Sequence, residues 1–468
     1  MKNRDLWQAS ILLALAFAIL TGCAGPRTML MQQVRTELSA SNYTKAFQTY
    51  KAKVKETKDV EELLNLGLLA FEAGDYPAAQ KALDDAGRLA EERETKSVSR
   101  ELAGIAISDR VRAYQGTDMD KALIHYYRAL AFLQQGNSSA AVVEGRAIAG
   151  YLEVLSRDGK HTFRDDPYLQ WFSGTLYESF GQTNDAWISF KRSRELYRNN
   201  VYGVPEPSFL CPVIYEAERT VGVPESESAA DSGCQDAAKK LNRDYGRVVV
   251  ICEAGLAPQI LESNLVLPIF TSDNLTFADD AERERYADEL YHRDRNNYDQ
   301  KKLKYLLRVA IPYYPDNYLG TRIRNVVVRG DSTVEQPAEP AEDVGAMLVQ
   351  DLKDRYPAIM IRAIIRGLIK YAATEATEKI VGKGDKGWGD ILSTAVNLAG
   401  VASEAADTRS WETLPDRIFV ANFQLPPGKH TLRAVFEDGA GGIIHRHDFP
   451  DIDVKRGEVV ILRARSTL

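Results

Sequence analysis

The chain has 468 residues, with 59 Lys+Arg against 66 Asp+Glu and a net charge of −7. That length implies two or three domains, and a 44% hydrophobic fraction is enough to fill their cores. A mildly acidic chain with no basic footprint argues against nucleic acid as a partner.

Residues 1–22 read as an export signal. Lys2 and Arg4 open it, residues 11–20 are apolar and Ala-rich, and Leu20-Thr21-Gly22-Cys23 closes it. The apolar stretch is too short to cross a bilayer. The closing tetrapeptide resembles the lipobox of bacterial lipoproteins. That resemblance implies lipid attachment at Cys23 and, with Ala24 following, an outer-membrane protein on the periplasmic face. Each buried acyl methylene contributes about 0.8 kcal/mol, so several chains on one Cys hold without a spanning helix.

Residues 23–200 carry a repeating helical pattern. Leu66-Gly67 leads through Ala70 and Phe71 to Gly74-Asp75-Tyr76, then to Ala79, Leu83 and Ala86. Gly174, Tyr177, Gly181, Ala186 and Phe190 repeat it. Weaker copies contain Phe132, Gly136, Ala140 and Ala141, and Asn42-Tyr43, Ala46 and Tyr50. Small residues let paired helices approach while large ones fill the groove between them. The pattern resembles the tetratricopeptide repeat, which implies an all-α solenoid.

Residues 201–240 read as loop and linker, with Pro205 and Pro207 followed by a Ser/Glu/Asp-rich stretch. Export exposes thiols to oxidising conditions, so Cys211 and Cys234, which flank an acidic loop, are the expected disulfide. Cys252 is left over in an apolar strand. A metal site there lacks any close Cys or His partner.

Residues 241–468 read as an α+β unit. Strands are expected at 247–253, 265–270, 306–312 and 323–329, a helix at 281–304 and an acidic, Pro-containing linker at 330–342. A long amphipathic helix covers 344–381, a Gly-rich turn 382–389 and a small-residue helix 390–406. The tail carries four strands, 417–425, 430–437, 443–454 and 459–465, expected as a small β-sandwich that completes one sheet.

Several phrases stand out together: Tyr114 with Gly116, Lys121-Ala-Leu-Ile-His-Tyr-Tyr-Arg, Ala254-Gly-Leu-Ala-Pro, Ala363-Ile-Ile-Arg-Gly-Leu-Ile-Lys and Asp407-Thr-Arg-Ser-Trp. With the repeats and lipobox they resemble an uncharacterised family of tetratricopeptide-containing Gram-negative outer-membrane lipoproteins. Members often accompany lipoproteins similar to activators of penicillin-binding proteins, so the resemblance implies cell-envelope work, with a hint of peptidoglycan.

No nucleophile elbow, Walker loop, HExxH or CxxC is present, and no catalytic residue, metal or cofactor is expected. His445 and His447 share a strand face but have no third ligand in sequence. Arg362, Arg366, Asp407, Arg409 and Trp411 form the candidate interaction surface, with Trp411 also readable as a plug between helix and sheet. The expected role is a non-enzymatic scaffold whose solenoid groove receives envelope proteins while the C-terminal unit projects into the periplasm. The alternatives are an envelope hydrolase or transferase, or a carrier of hydrophobic cargo, built on the C-terminal unit.

Overall fold

Four helix-to-helix turns built alike set the spacing of the first half of the chain. In each, one residue adopts a left-handed conformation: Ser41 (φ 57°), Gly74 (φ 80°), Gly136 (φ 71°) and Gly181 (φ 76°). The next residue's N–H reaches back five positions, Asn42 to Glu37 O, Asp75 to Ala70 O, Asn137 to Phe132 O and Gln182 to Tyr177 O, at 2.8–2.9 Å. This closes the preceding helix by satisfying one of its orphan carbonyls. An alanine lies four residues further on each time, Ala46, Ala79, Ala141 and Ala186, and all four are fully buried.

The computed structural model describes residues 26–98, 113–157, 165–199, 203–222, 232–270, 273, 280–293, 303–315, 318, 320–330, 334–381 and 405–468. The export signal and Cys23, the acidic loop at 223–231, the Gly-rich turn and most of the small-residue helix (390–404) lie outside them.

The four turns join antiparallel pairs: α1 (Pro26–Ser39) with α2 (Tyr43–Lys53), α3 (Val60–Glu72) with α4 (Tyr76–Val98), α5 (Asp118–Gln134) with α6 (Ser138–Arg157), and α7 (Pro167–Ser179) with α8 (Thr183–Arg198). Successive pairs stack on one another. The first helices start on side-chain caps: Asp59 for α3, Thr117 in a capping box with Asp120 for α5, and Asp166 for α7. Two shorter helices follow, α9 (Leu210–Val221) and α10 (Ser232–Ala238). A disulfide between Cys211 and Cys234 (Cα–Cα 5.2 Å) links them, and Cys252 is a buried free thiol.

Then come β1 (Gly246–Ala254), β2 (Leu261–Phe270), α11 (Asp280–His292), β3 (Leu303–Tyr313), β4 (Asn325–Arg329), β5 (Glu335–Asp343), α12 (Val344–Val381), β6 (Arg417–Leu425), β7 (Gly428–Glu437), β8 (Ile443–Val454) and β9 (Val459–Ser466). The fold is thus mixed α+β, with helices first and a sheet region after. The expected sandwich is not found. Seven strands form one sheet in the order β8-β7-β4-β5-β6-β1-β9, with β1 antiparallel to β6 and parallel to β9. The sheet curls until Val454 on β8 comes against Gly246 on β1, giving a nearly closed, barrel-like form. Alternation along each strand reveals two faces, but not whether they belong to one sheet or two.

The acidic stretch expected as a linker is instead β5, an internal strand between β4 and β6. Ala338 faces the sheet interior and Ala341 the helices, while Pro340 sits at a register shift where its missing N–H costs no ladder bond. Strands β2 and β3 stay out of this sheet. They pair as a separate hairpin whose Leu267, Ile269, Leu307, Val309 and Ile311 pack on Leu290 of α11 and on Met360, Ile364 and Leu368 of α12.

The curled sheet lies against the helix pairs. Its interior holds Val248, Val250, Phe419, Phe423, Phe436 and Ala464, whereas the outward Val249, Ile251, Ile418 and Val420 belong to the same core as the helices. The first helices of the second, third and fourth pairs are therefore covered on two sides, whereas α1 buries only Met31, Val34 and Leu38. In α3, ten of thirteen residues are buried, and in α7 Pro167 through Tyr177 are buried without a break. A helix apolar all round is one packed all round. The second helices bury a single stripe, as Ala186, Ser189, Phe190, Ser193 and Leu196 do in α8. The groove expected to receive a partner, with the C-terminal unit projecting away, is instead filled by that unit.

Candidate functional site

The close approaches predicted from the repeat signature are present. A Cβ on Gly67 would lie 2.7 Å from Leu83, and one on Gly174 would lie 2.6 Å from Phe190. Leu66 and Tyr76 pack at the edge of the core, and Tyr177 is buried. These residues build the array and do not converge on a site.

Polar side chains fasten the array to the sheet. Glu253, at the end of β1, is completely buried. It accepts from Arg463 (2.6 Å), Arg465 (2.9 Å), the Tyr126 hydroxyl (3.0 Å) and the Tyr127 hydroxyl (3.4 Å). Arg463 also reaches Glu72 at 2.6 Å. Burial alone would raise the Glu253 pKa, but Arg463 and Arg465 outweigh it and hold the carboxylate below its ordinary range. Arg463 and Arg465 are two apart on one strand and so share a face, which was the available sequence signal. Near the start of the array Arg27 bridges Glu61 (2.6 Å) and Glu412 (3.0 Å), while Asn65 accepts from Thr413 N and Oγ1 at 3.2 and 3.1 Å.

A second fastening pairs two acids. Asp166, the cap of α7, and Glu342, at the end of β5, are both buried and close enough to influence one another's ionisation. Asp166 Oδ1 accepts from Leu169 N at 2.6 Å and Glu342 Oε1 from Asp343 N at 2.9 Å, leaving Oδ2 and Oε2 without another partner. Burial raises both pKa values, and the neighbouring Asp166 raises that of Glu342 further. Neither residue stands out in sequence, because they are 176 positions apart.

Two of the phrases singled out in sequence meet, Tyr114 with Gly116 and Asp407 to Trp411, while the other three lie elsewhere. Tyr114, Gly116, Thr117 and Asp120 before and in α5, Asp407, Arg409, Ser410 and Trp411 before β6, and Asp351, Arg355, Ile359 and Arg362 of α12 line one cleft of about 330 Å³. Pro312 and Tyr314 close its side. Arg409 clasps both Asp407 oxygens at 2.8 Å and lies 5.3 Å over the Tyr114 ring. The Tyr114 hydroxyl donates to Asp120 (3.1 Å), and Arg355 pairs with Asp351 (3.0 Å from Nε). Burial pushes the carboxyls of Asp120 and Asp351 upward. Three guanidiniums, three carboxyls and aromatic walls suit a polar ligand carrying both charge signs.

Two members of the expected surface are buried, Trp411 at the inner wall of the cleft and Arg366 outside its lining. Trp411 is 1% exposed and packs 5.6 Å from Tyr127, closing the join between array and sheet. Arg366 is 2% exposed, so it offers no head group to solvent. Its helical spacing from Arg362 made the two look equivalent, but α12 turns Arg366 inward. His445 and His447 lie on β8, where burial lowers both pKa values. Among the described residues no group of three His, Cys, Asp or Glu is placed to hold a metal. No helix among them is long and apolar enough to cross a membrane.

No family model and no curated protein matches the chain. Among solved structures, the crystal structure of BtubC (BKLC) from P. vanneervenii is similar over 46% of this chain and 81% of that one, at 17% identity and a TM-score of 0.30. A likeness that distant carries no functional argument.

Proposed function

We propose that this chain is a lipid-anchored envelope protein of tetratricopeptide type, held by acylated Cys23 at the periplasmic face of the outer membrane, and that it works as a non-enzymatic scaffold. The four turns that repeat one hydrogen-bond pattern, each with a buried alanine four residues on, support the repeat reading. The lipobox supports the anchor. Because the inner face of the array is occupied by its own sheet, the scaffold reading moves the partner from the groove to the cleft where array, α12 and the 407–411 segment meet. The observation that carries this is the convergence of three separate sequence segments on that cleft.

A photo-crosslinking residue in place of Ile359, introduced into the anchored chain in cells, tests it. We expect one envelope protein to be trapped, and Cys23→Ala to release the chain from the membrane and abolish trapping. The size and charge of the cleft favour a second reading, a small amphoteric ligand bound by the C-terminal unit. Recovery of no protein, together with a small molecule trapped by the crosslinking residue at position 359, would establish that reading instead.

A further inference from the structure

The cleft between the array, α12 and the 407–411 segment is walled on one side by hydrogen-bond donors that the protein itself does not use. Ser410 and Trp411 line it and are 6% and 1% exposed. Ser410 Oγ and Trp411 Nε1 are buried and have no hydrogen-bond partner among the described residues. The backbone beside them is well served. Ser410 O accepts from Asn65 Nδ2 at 3.4 Å, and Thr413 N donates to Asn65 Oδ1 at 3.2 Å. Asn65 of α3 thus fixes the segment while two of its side-chain donors, on consecutive residues, stay unpaired. An unpaired buried donor is costly, so two together in a cleft mark a place where an acceptor is expected.

The charges around these donors say which acceptor fits. Arg355 lines the same cleft and gives Nε and Nη2 to Asp351 Oδ2, which leaves its Nη1 for a ligand. Asp407 is tied to Arg409 through both oxygens, and Asp120 Oδ2 receives the Tyr114 hydroxyl and Thr117 N at 3.1 and 2.8 Å. Outside the lining, Asp59 is shared by Arg409 (3.8 Å) and Arg93 (4.0 Å). Burial favours the neutral form of Asp120 and Asp351, whereas a guanidinium keeps its charge at any working pH. The balance leans toward a negative ligand. A carboxylate has two oxygens and about four lone-pair sites, enough to accept from an indole N–H, a hydroxyl and a guanidinium together. At about 330 Å³ the cleft is at the small end of ligand sites, so one compact group meets both walls.

We propose that the inner end of this cleft is a carboxylate subsite, in which Ser410 Oγ, Trp411 Nε1 and Arg355 Nη1 donate to one carboxylate of the cleft's occupant. The proposal rests on the reading of this cleft as the binding site and narrows what binds there. A partner protein presents an acidic side chain or its C-terminal carboxylate, and a small ligand is an acid.

The test uses the full chain, labelled with nitrogen-15 and purified from membranes, and reads the indole N–H resonances. Trp411→Phe and Trp171→Phe assign two of them. Trp171, whose Nε1 is also buried and unpartnered but which lies outside the cleft, is the internal control. Acetate and benzoate are titrated at constant ionic strength, with acetamide and benzamide as uncharged counterparts. The expected result is a saturable shift of the Trp411 signal with the acids, at least about tenfold weaker with the amides, and none at Trp171. Ser410→Ala and Arg355→Gln should each raise the midpoint for the acids about tenfold. Equal midpoints for acid and amide, or no shift of Trp411 with either acid, overturn the subsite.

The same two substitutions, combined with the crosslinking residue at position 359 in cells, tell the sources apart. Loss of a trapped protein puts the carboxylate on a partner, and loss of a trapped small molecule makes it a free acid. A partner trapped as well by the double variant overturns the subsite and leaves the cleft reading standing. Acids that shift Trp411 while position 359 traps nothing leave the subsite standing and overturn the partner reading.

Discussion

At the scale of single residues, the acids between array and sheet make stability depend on pH in two opposed ways. Asp166, raised to about 7, and Glu61, also raised to about 7 by burial against the pull of Arg27, are worth most below the pKa of an unfolded carboxylate. Their contribution disappears as pH rises through 7. Glu253 is held low, so its contribution is present above the unfolded value and lost in acid. We expect the urea midpoint to fall between pH 5 and pH 8, and Asp166→Asn to flatten part of that fall while Glu61 maintains the rest. Replacing Glu253 with Ala at pH 7 leaves the buried Arg463 and Arg465 with Glu72 as their one shared carboxylate. It should cost about 3–5 kcal/mol in chemical denaturation. None of these partnerships was legible beforehand. Each joins residues far apart in sequence, and an isolated Glu at the end of an apolar run reads the same whether or not two arginines wait across the ladder.

At the scale of elements, glycine separates close approach from open space. Gly174→Ala pushes a methyl into the Phe190 ring and should destabilise by about 1–3 kcal/mol. Gly150, inside α6 with nothing near an added Cβ, should stabilise by about 0.5–1 kcal/mol when changed to Ala. Thermal melts of the two variants side by side check both signs. The helix pairs were legible because their constraints are local: a left-handed turn residue, an alanine four positions on, a small residue opposite a large one. The long helix α12 was legible for the same reason. Strand β5 was not, because its acids and prolines report solvent and turn by composition. Its place in the sheet is set by partners such as Ser208, which donates to Glu339 at 2.7 and 2.8 Å. The hairpin's separation from the main sheet was hidden too, since β2 and β3 have the same apolar texture as strands that join it.

At the scale of the molecule, one core runs from Met31 in α1 to Val420 in β6. Array and sheet should therefore melt in a single transition, with far-UV circular dichroism and intrinsic tryptophan fluorescence coinciding. An array excised as residues 24–200 would bare Phe71, Tyr126, Tyr127, Phe172 and the polar groups that Glu253 and Thr413 satisfy. We expect it to bind hydrophobic dyes and to lose amide protection in α3, α5 and α7 first, as followed by hydrogen exchange. Sequence conveyed the two halves but not their embrace, because a helix face suited to a foreign peptide is equally suited to the chain's own strand.

That embrace also orders events in time. Tyr43 meets Arg465, and Asn65 meets Thr413, across separations of 422 and 348 residues. A chain made from its amino end produces α1 to α8 long before β6 and β9 exist, so the earliest helices spend most of synthesis with an unfinished side. Contacts so distant in sequence form late and slowly. The first half of this protein must therefore be sheltered, by holding factors or by delayed collapse, until nearly the last strand arrives.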